Sequence, residues 1–286
     1  MECERIGDYR IEAELTAGPS ARTYLATHQL LSRPAIIKVA RATSDSIGVL
    51  REACMLAAMP HPGVVRLYET GRTAAHDQLT WFASEVVEGL TLASTLALGG
   101  ALETSIGVGI VRDLAEVLAY AHSRGVVHAG LTPDRVAVTA RLRGFSLCIT
   151  DWSTARTHDA RSAHAWEPSP YTAPEVVRGE VDDRVDVFAL GAIAYRVLTG
   201  AVFEGKPIAT LAPELPRPIA LVIDSMLAYD RWDRPSSVEV RAALDAPVDV
   251  RIRKPRWTPP LQFAPHEGEI AVTEAPTIDD IEPPKS

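Results

Sequence analysis

The sequence predicts an α+β fold in two lobes, with strands and one helix in the first lobe and mainly helices in the second. Short alternating or β-branched runs fill the first 90 residues, as expected for half-buried strands. From about residue 90 onward, apolar residues recur at helical spacing instead. Strands that precede helices in this way are typical of an α+β arrangement. A chain of 286 residues, 47% of them hydrophobic, is long enough for two lobes with a substantial core.

The first lobe, assigned to residues 1–87, is predicted to hold an antiparallel sheet and one helix. The predicted strands are 9–15, 23–27, 35–39, 64–68 and 79–87, and the predicted helix is 46–59. The helix is indicated by four residues at helical spacing, which are Ile47, Leu50, Cys54 and Ala57. Pro60 ends the helix because proline lacks a backbone donor.

The second lobe, assigned to residues 88–246, is predicted to be mostly helical. An amphipathic stripe over 105–122 is its strongest helical signal. Two short strands and two further helices follow, at 136–139, 147–150, 186–199 and 218–228.

The composition changes again at residues 247–286, which contain eight prolines. Residues 265–284 carry six acidic groups and no Lys or Arg. Such a segment buries too little apolar surface to offset the entropy lost on ordering. We therefore expect a flexible, proline-rich acidic tail.

Charge and cysteine usage narrow the class of protein. A net charge of −8 argues against a general nucleic-acid or anionic-membrane surface. The three cysteines, Cys3, Cys54 and Cys148, are too far apart in sequence for metal-ligand spacing and fit a reducing compartment. No apolar stretch approaches the roughly 20 residues that span a bilayer, and the N-terminus lacks a signal-peptide core. These features predict a soluble cytoplasmic protein, and the Ala-, Arg- and Val-rich composition hints at a bacterial source.

Nine short motifs follow one another between Tyr9 and Leu244. In chain order they are Ala35-Ile-Ile-Lys-Val39, Arg51-Glu52, His61-Pro-Gly-Val-Val-Arg-Leu67, Glu85-Val-Val-Glu-Gly89, His128-Ala-Gly-Leu-Thr-Pro-Asp-Arg135, Asp151-Trp-Ser153, Ala173-Pro-Glu175, Asp186-Val-Phe-Ala-Leu-Gly191 and Arg234-Pro235. Their joint occurrence in this order resembles the eukaryotic-like (Hanks-type) Ser/Thr protein kinase family. The resemblance implies that family's bilobal fold.

The resemblance also implies a site for ATP and magnesium. Lys38 stands at the position that pairs with the α- and β-phosphates, Glu52 at that of its ion-pair partner, and Asp151 at that of the magnesium ligand. Ser84, as a small gatekeeper, and Glu85 stand at the hinge between the lobes. A purely structural alternative stays open, in which Lys38 and Glu52 form a buried ion pair and Asp151 caps a turn.

Five further residues match positions that have structural roles in the family. They are His128, Trp152, Glu175, Asp186 and Arg234. Arg234 is expected to form an ion pair with Glu175, and Trp152 is expected to fill space behind the first-lobe helix.

The positions that carry kinase chemistry are altered. Gly130 stands where the catalytic Asp accepts a proton, Arg135 where an Asn binds the second metal ion, and Thr132 where a Lys steadies the transferred phosphoryl group. Only Gly18 remains of the glycine-rich loop, and Pro19 beside it removes a backbone donor. The loop therefore favours an ordinary hairpin turn over a phosphate cradle.

Retained structural residues and missing chemistry together predict a pseudokinase, which is not an enzyme but a binding or regulatory module. Its expected partners are proteins, such as a partner kinase or a signalling complex. One alternative is an active Ser/Thr kinase or another ATP-dependent transferase with non-standard catalytic residues, in which Arg135 can contact phosphate. A small-molecule kinase of the aminoglycoside type is disfavoured, because Ala173-Pro-Glu175 and Arg234 belong to the protein-kinase pattern.

The tail suggests a second kind of interaction. Thr277 lies in an acidic context with Asp280 three residues later, which resembles phosphothreonine ligands of forkhead-associated domains. Thr277 is thus a candidate phosphosite for a phosphothreonine-binding partner, and an ordinary solvated acidic tail is the alternative.

Overall fold

A computed structural model describes residues 5–73, 78–139, 145–157 and 168–245. Cys3, the proline-rich tail and the phosphosite hypothesis at Thr277 lie outside these residues. Within them, no helix is both long enough and apolar enough to cross a membrane.

The first lobe is a six-stranded antiparallel sheet, in the order β1-β2-β3-β4-β6-β5. Its strands are Arg5–Ile6 (β1), Tyr9–Ala17 (β2), Ala21–His28 (β3), Arg33–Ala40 (β4), Leu67–Arg72 (β5) and Thr80–Ser84 (β6). Tyr9, Ile37 and Trp81 lie in the apolar cluster of this sheet. One helix, Ser46–Ala58 (α1), packs against β4 and β6. The sheet and its single helix confirm the predicted class of this lobe.

The fifth strand begins later than the sequence predicts. Val64 and Val65 are buried but lie outside the first-lobe sheet. The Val65 N–H donates to the Ile149 carbonyl at 3.1 Å, and the Ile149 N–H donates to the Gly63 carbonyl at 2.8 Å. The apolar run that suggested a strand at 64–68 therefore joins the first lobe to the second.

Helix α1 forms where predicted, but it packs with a different face. The four residues that indicated the helix are all exposed, and they are Ile47, Leu50, Cys54 and Ala57. The buried face carries Val49, Ala53 and Leu56 together with Glu52. The helix carries two apolar stripes, and the one that shares a face with Glu52 faces the core.

The second lobe is mostly helical, as predicted. Its helices are Leu92–Gly99 (α2), Thr104–Ser123 (α3), Asp183–Thr199 (α4), Arg217–Met226 (α5) and Ser237–Asp245 (α6), and its short strands are Leu90–Thr91 (β7), Val126–Val127 (β8), Val136–Val138 (β9), Leu147–Ile149 (β10) and Arg156–Thr157 (β11). Helix α4 is buried along most of its length and contacts α3 and α5. The sequence did not predict α2 or α6. Strands β9 and β10 pair antiparallel, so the segment that precedes β9 lies beside the segment that follows β10, and the Thr150 N–H donates to the Arg135 carbonyl at 2.9 Å.

Candidate functional site

The cleft between the lobes contains a buried ion pair. Strand β4 carries Lys38 and helix α1 carries Glu52, and Lys38 Nζ lies 2.7 Å from Glu52 Oε2. Although burial opposes its charge, the Glu52 and Asp151 carboxylates raise the pKa of Lys38 above its ordinary value. The pair fixes α1 with Glu52 turned toward the sheet. The motif alone did not establish this orientation.

Asp151 follows β10 and faces the same lysine. Its Oδ1 lies 3.2 Å from Lys38 Nζ and accepts a bond from the Ser153 N–H at 3.1 Å. Its Oδ2 lies 3.3 Å from Arg135 Nε and accepts a bond from the Ser153 hydroxyl at 3.1 Å. Despite burial, Lys38 and Arg135 hold the pKa of the Asp151 carboxyl well below its usual range. Asp151 is therefore an ionised carboxylate between two cations.

Asp186 of α4 anchors the first residues of the loop 128–135. The backbone N–H groups of His128 and Ala129 each donate to its carboxylate at 2.7 Å, and His122 Nε2 lies 2.9 Å from Asp186 Oδ2. Ala129 has φ of 59°, a left-handed conformation that is costly for a residue with a Cβ. The buried Asp186 thus holds the start of this loop through two hydrogen bonds to its backbone.

Gly130 faces a filled space. A Cβ built on Gly130 would lie 2.7 Å from Thr154 Oγ1 and 3.1 Å from Thr154 Cβ. The Thr154 hydroxyl donates to the His128 carbonyl at 3.0 Å and accepts a bond from Arg135 at 2.6 Å. The space beside Gly130 is therefore occupied by a threonine that is held by two partners.

We expect Gly130→Ala to lower the free energy of unfolding by about 1–3 kcal/mol, because the added Cβ overlaps Thr154. This loss of unfolding free energy should be smaller in a Thr154→Ala background, because that substitution removes the nearest contact. Denaturant unfolding of the two single variants and of the double variant measures the coupling between the two positions. Gly109→Ala is the matched control. It adds a Cβ to helix α3 with nothing within 4 Å, so it should stabilise the protein by roughly 0.5–1 kcal/mol. Equal costs of Gly130→Ala with and without Thr154 would contradict the steric account.

His128 and Trp152 pack together in the core beneath the cleft. Both are fully buried, and their ring centroids lie 4.8 Å apart. The Trp152 indole N–H donates to the Ile149 carbonyl at 3.2 Å, and its backbone N–H donates to Glu52 Oε1 at 3.3 Å. Burial lowers the pKa of His128 to about 4, so the ring is neutral at neutral pH. These contacts fit the packing role expected for Trp152.

Glu175 and Arg234 form a second buried ion pair, away from the cleft. Arg234 donates to both carboxylate oxygens of Glu175, at 2.6 and 2.9 Å. It also donates to the carbonyls of Ala228, Tyr229 and Arg184. The pair ties the 3₁₀ turn at 174–178 to the segment between α5 and α6.

The remaining predicted residues lie around the cleft without joining the charged cluster. Ser84 is buried at the end of β6. Glu85 Oε1 accepts a bond from the Arg66 N–H at 2.5 Å. Gly18 lies in the turn between β2 and β3, and its carbonyl accepts a bond from Arg41 at 3.2 Å. Thr132 precedes a 3₁₀ turn at 133–135 and accepts a bond from the Arg135 N–H.

The structure brings Lys38, Glu52, Asp151 and Arg135 together, and it adds Thr154, which sequence reasoning missed. Thr154 belongs to none of the sequence motifs, because its role is to fill the space beside Gly130. The only available signal was the glycine at position 130, since an absent side chain leaves room that a neighbour can take.

The family model and the similar proteins that follow all point to protein kinases. Residues 9–244 match the protein kinase domain. The chain is 28% identical to the serine/threonine-protein kinase pkn2 of Myxococcus xanthus, over 95% of this chain and 36% of that protein. It is 26% identical to PrkC of Bacillus subtilis (88% and 42%) and 29% identical to PknB of Mycobacterium leprae (67% and 32%), both serine/threonine-protein kinases. The matched region spans about a third to two-fifths of the length of these relatives.

Proposed function

The chain belongs to the protein kinase family and is homologous to bacterial Ser/Thr kinases, and from this premise we propose that it is a pseudokinase. It acts as a binding and regulatory module for protein partners, such as a partner kinase, a signalling complex or a phosphothreonine-binding domain. It does not transfer phosphate at a useful rate.

One observation carries this proposal: the position of the general base holds Gly130, and Thr154 fills the space beside it. A positioned base typically contributes about 10²–10⁴ in rate. The one carboxylate within the loop 128–135 belongs to Asp134, which is exposed, and the nearby Asp151 is paired with Lys38 and Arg135. Arg135 at the second metal position removes a ligand as well.

The rest of the fold supports a binding role rather than a damaged enzyme. The Lys38–Glu52 pair is closed, Asp186 holds the loop, and Glu175 and Arg234 remain paired in the core. The chain thus keeps the interactions that give a kinase its shape while it lacks those of the transfer step. A stable shape without chemistry suits a surface that other proteins recognise.

We expect no transfer from ATP to the protein itself or to a generic protein substrate, with either magnesium or manganese. Intact-protein mass spectrometry detects the transfer of any part of ATP, so it covers protein kinases and other transferases together. Lys38→Ala and Asp151→Ala define the background, and the wild-type signal should equal theirs.

The alternative, an ATP-dependent transferase with non-standard residues, has support in the close approach of Lys38, Glu52 and Asp151. It would be established by a mass increase in the wild-type protein that both substitutions abolish. That result would overturn the pseudokinase proposal.

A further inference from the structure

We propose that the Arg135 guanidinium takes the place of a divalent cation in the cleft, so that this site binds a nucleoside triphosphate without metal. This inference deepens the proposed function and rests on it, since a site without phosphoryl transfer has no need of a metal ion for chemistry. The contacts of Asp151 and the balance of charge around it support this role for Arg135.

The donor set does not fit magnesium. Both oxygens of the Asp151 carboxylate are already engaged, Oδ1 by Lys38 and the Ser153 N–H, and Oδ2 by Arg135 and the Ser153 hydroxyl. Magnesium requires near-octahedral oxygen ligands at about 2.0–2.1 Å. A metal ion on Oδ2 would therefore have to displace Arg135 and then remain beside its positive charge. Among the residues that the structure describes, no group of three or more His, Cys, Asp or Glu side chains offers another metal site.

The charges of the cluster explain why a metal is not required. Lys38 and Arg135 balance Glu52 and Asp151, so the four side chains together are neutral. An uncharged residue in place of Arg135 would leave the cluster with a net negative charge that repels phosphate. Arg135 thus contributes the positive charge that a cation would otherwise bring.

Arg135 is placed to reach a ligand. Its side chain is 25% exposed and that of Asp151 is 35% exposed, so both lie at the surface of the cleft. A guanidinium has five N–H donors in a planar fork that matches phosphate oxygens. The contacts with Asp151 and Thr154 use two of its nitrogens and fix the direction of the group. The second N–H of Nη1 and the two N–H groups of Nη2 can bind phosphate oxygens while Asp151 keeps the arginine oriented.

The test is the affinity for ATP, measured by calorimetric titration of the full chain in excess EDTA and again in excess magnesium. We expect the wild-type protein to bind ATP in EDTA at least as tightly as in magnesium. Arg135→Asn should weaken binding in EDTA by about 10- to 100-fold, the range expected for one charge-assisted contact. Magnesium should restore part of that loss, because the freed Asp151 oxygen can then accept the ion.

Two controls accompany this test. Arg135→Lys retains the charge and should lose less affinity in EDTA than Arg135→Asn. Arg241→Asn removes an arginine that is 46% exposed and lies on α6, away from the cleft, and it should bind ATP as the wild type does. If Arg135→Asn fails to fold, the EDTA and magnesium titrations of the wild-type protein decide alone.

Three results would overturn the inference: wild-type binding that requires magnesium, no ATP binding at millimolar concentration in EDTA, or equal affinity of wild type and Arg135→Asn in EDTA. None of these results bears on phosphoryl transfer, which the mass measurement assesses separately. The pseudokinase proposal can therefore stand when the inference about Arg135 fails. A detected transfer product would overturn the pseudokinase proposal whatever the ATP titrations show.

Discussion

Glu175→Ala is expected to lower the free energy of unfolding by about 3–5 kcal/mol. The substitution leaves the Arg234 guanidinium buried without its carboxylate, and the side chains of the pair are only 0% and 2% exposed. The backbone carbonyls that Arg234 also contacts satisfy its donors in part but do not neutralise its charge. Denaturant unfolding followed by circular dichroism measures the loss.

The matched control is Glu180→Ala, which removes one of the two carboxylate partners of Arg231, a partly exposed arginine in the same region. Glu180 Oε2 lies 3.1 Å from Arg231, with side-chain exposures of 43% and 24%. An exposed pair of this kind is worth about 1 kcal/mol or less. Similar losses for the two variants would show that burial of the Glu175 pair has no special cost.

The stability of the protein is expected to fall steeply between pH 6.5 and about 4 because His128 is buried in its neutral form. Its pKa is lowered by burial from 6.5 to about 4. Over this range the unfolded chain binds a proton that the folded chain excludes, so the free energy of unfolding decreases as the pH falls. One such group contributes about 1.4 kcal/mol per pH unit.

His128→Phe isolates this contribution, since phenylalanine keeps a ring against Trp152 and cannot titrate. The variant should show a shallower loss of stability from pH 6.5 down to about 4, as measured by denaturant unfolding at several pH values. Carboxylates such as Asp151 also destabilise the fold on protonation, but they do so in both proteins and cancel in the comparison. Parallel pH profiles would mean that His128 takes up its proton in the folded state.

The sequence predicted the order of elements well, but the packing faces less well. Helix α1 carries two sets of apolar residues with the same helical spacing. The exposed set is Ile47, Leu50, Cys54 and Ala57, and the buried set is Val49, Ala53 and Leu56. Periodicity identifies such a helix without saying which stripe faces the core. The contact between Glu52 and Lys38 decides this, and it joins residues on separate elements. The short helix α6 was missed because its Arg and Glu residues weaken the apolar stripe.

The candidate site was likewise only partly predictable from the sequence. Lys38, Glu52 and Asp151 were found because each belongs to a motif, although Asp151 lies 113 residues beyond Lys38. The contact of Arg135 with Asp151 was not predicted, because it depends on how the loop 128–135 lies against the segment after β10. The position of Thr154 beneath Gly130 depends on the same packing.

Under the pseudokinase proposal, the contact between residues 130 and 154 makes any engineered restoration of catalysis depend on the order in which residues are substituted. A carboxylate side chain at position 130 would overlap Thr154 and cost stability, and shortening Thr154 first would remove a partner of Arg135 and of the His128 carbonyl. Arg135 must also change before a metal ligand can return at its position. Each of these changes alone strains or removes a contact of the present fold. A carboxylate at position 130 would therefore require accompanying changes at positions 154 and 135, and a single substitution would not suffice.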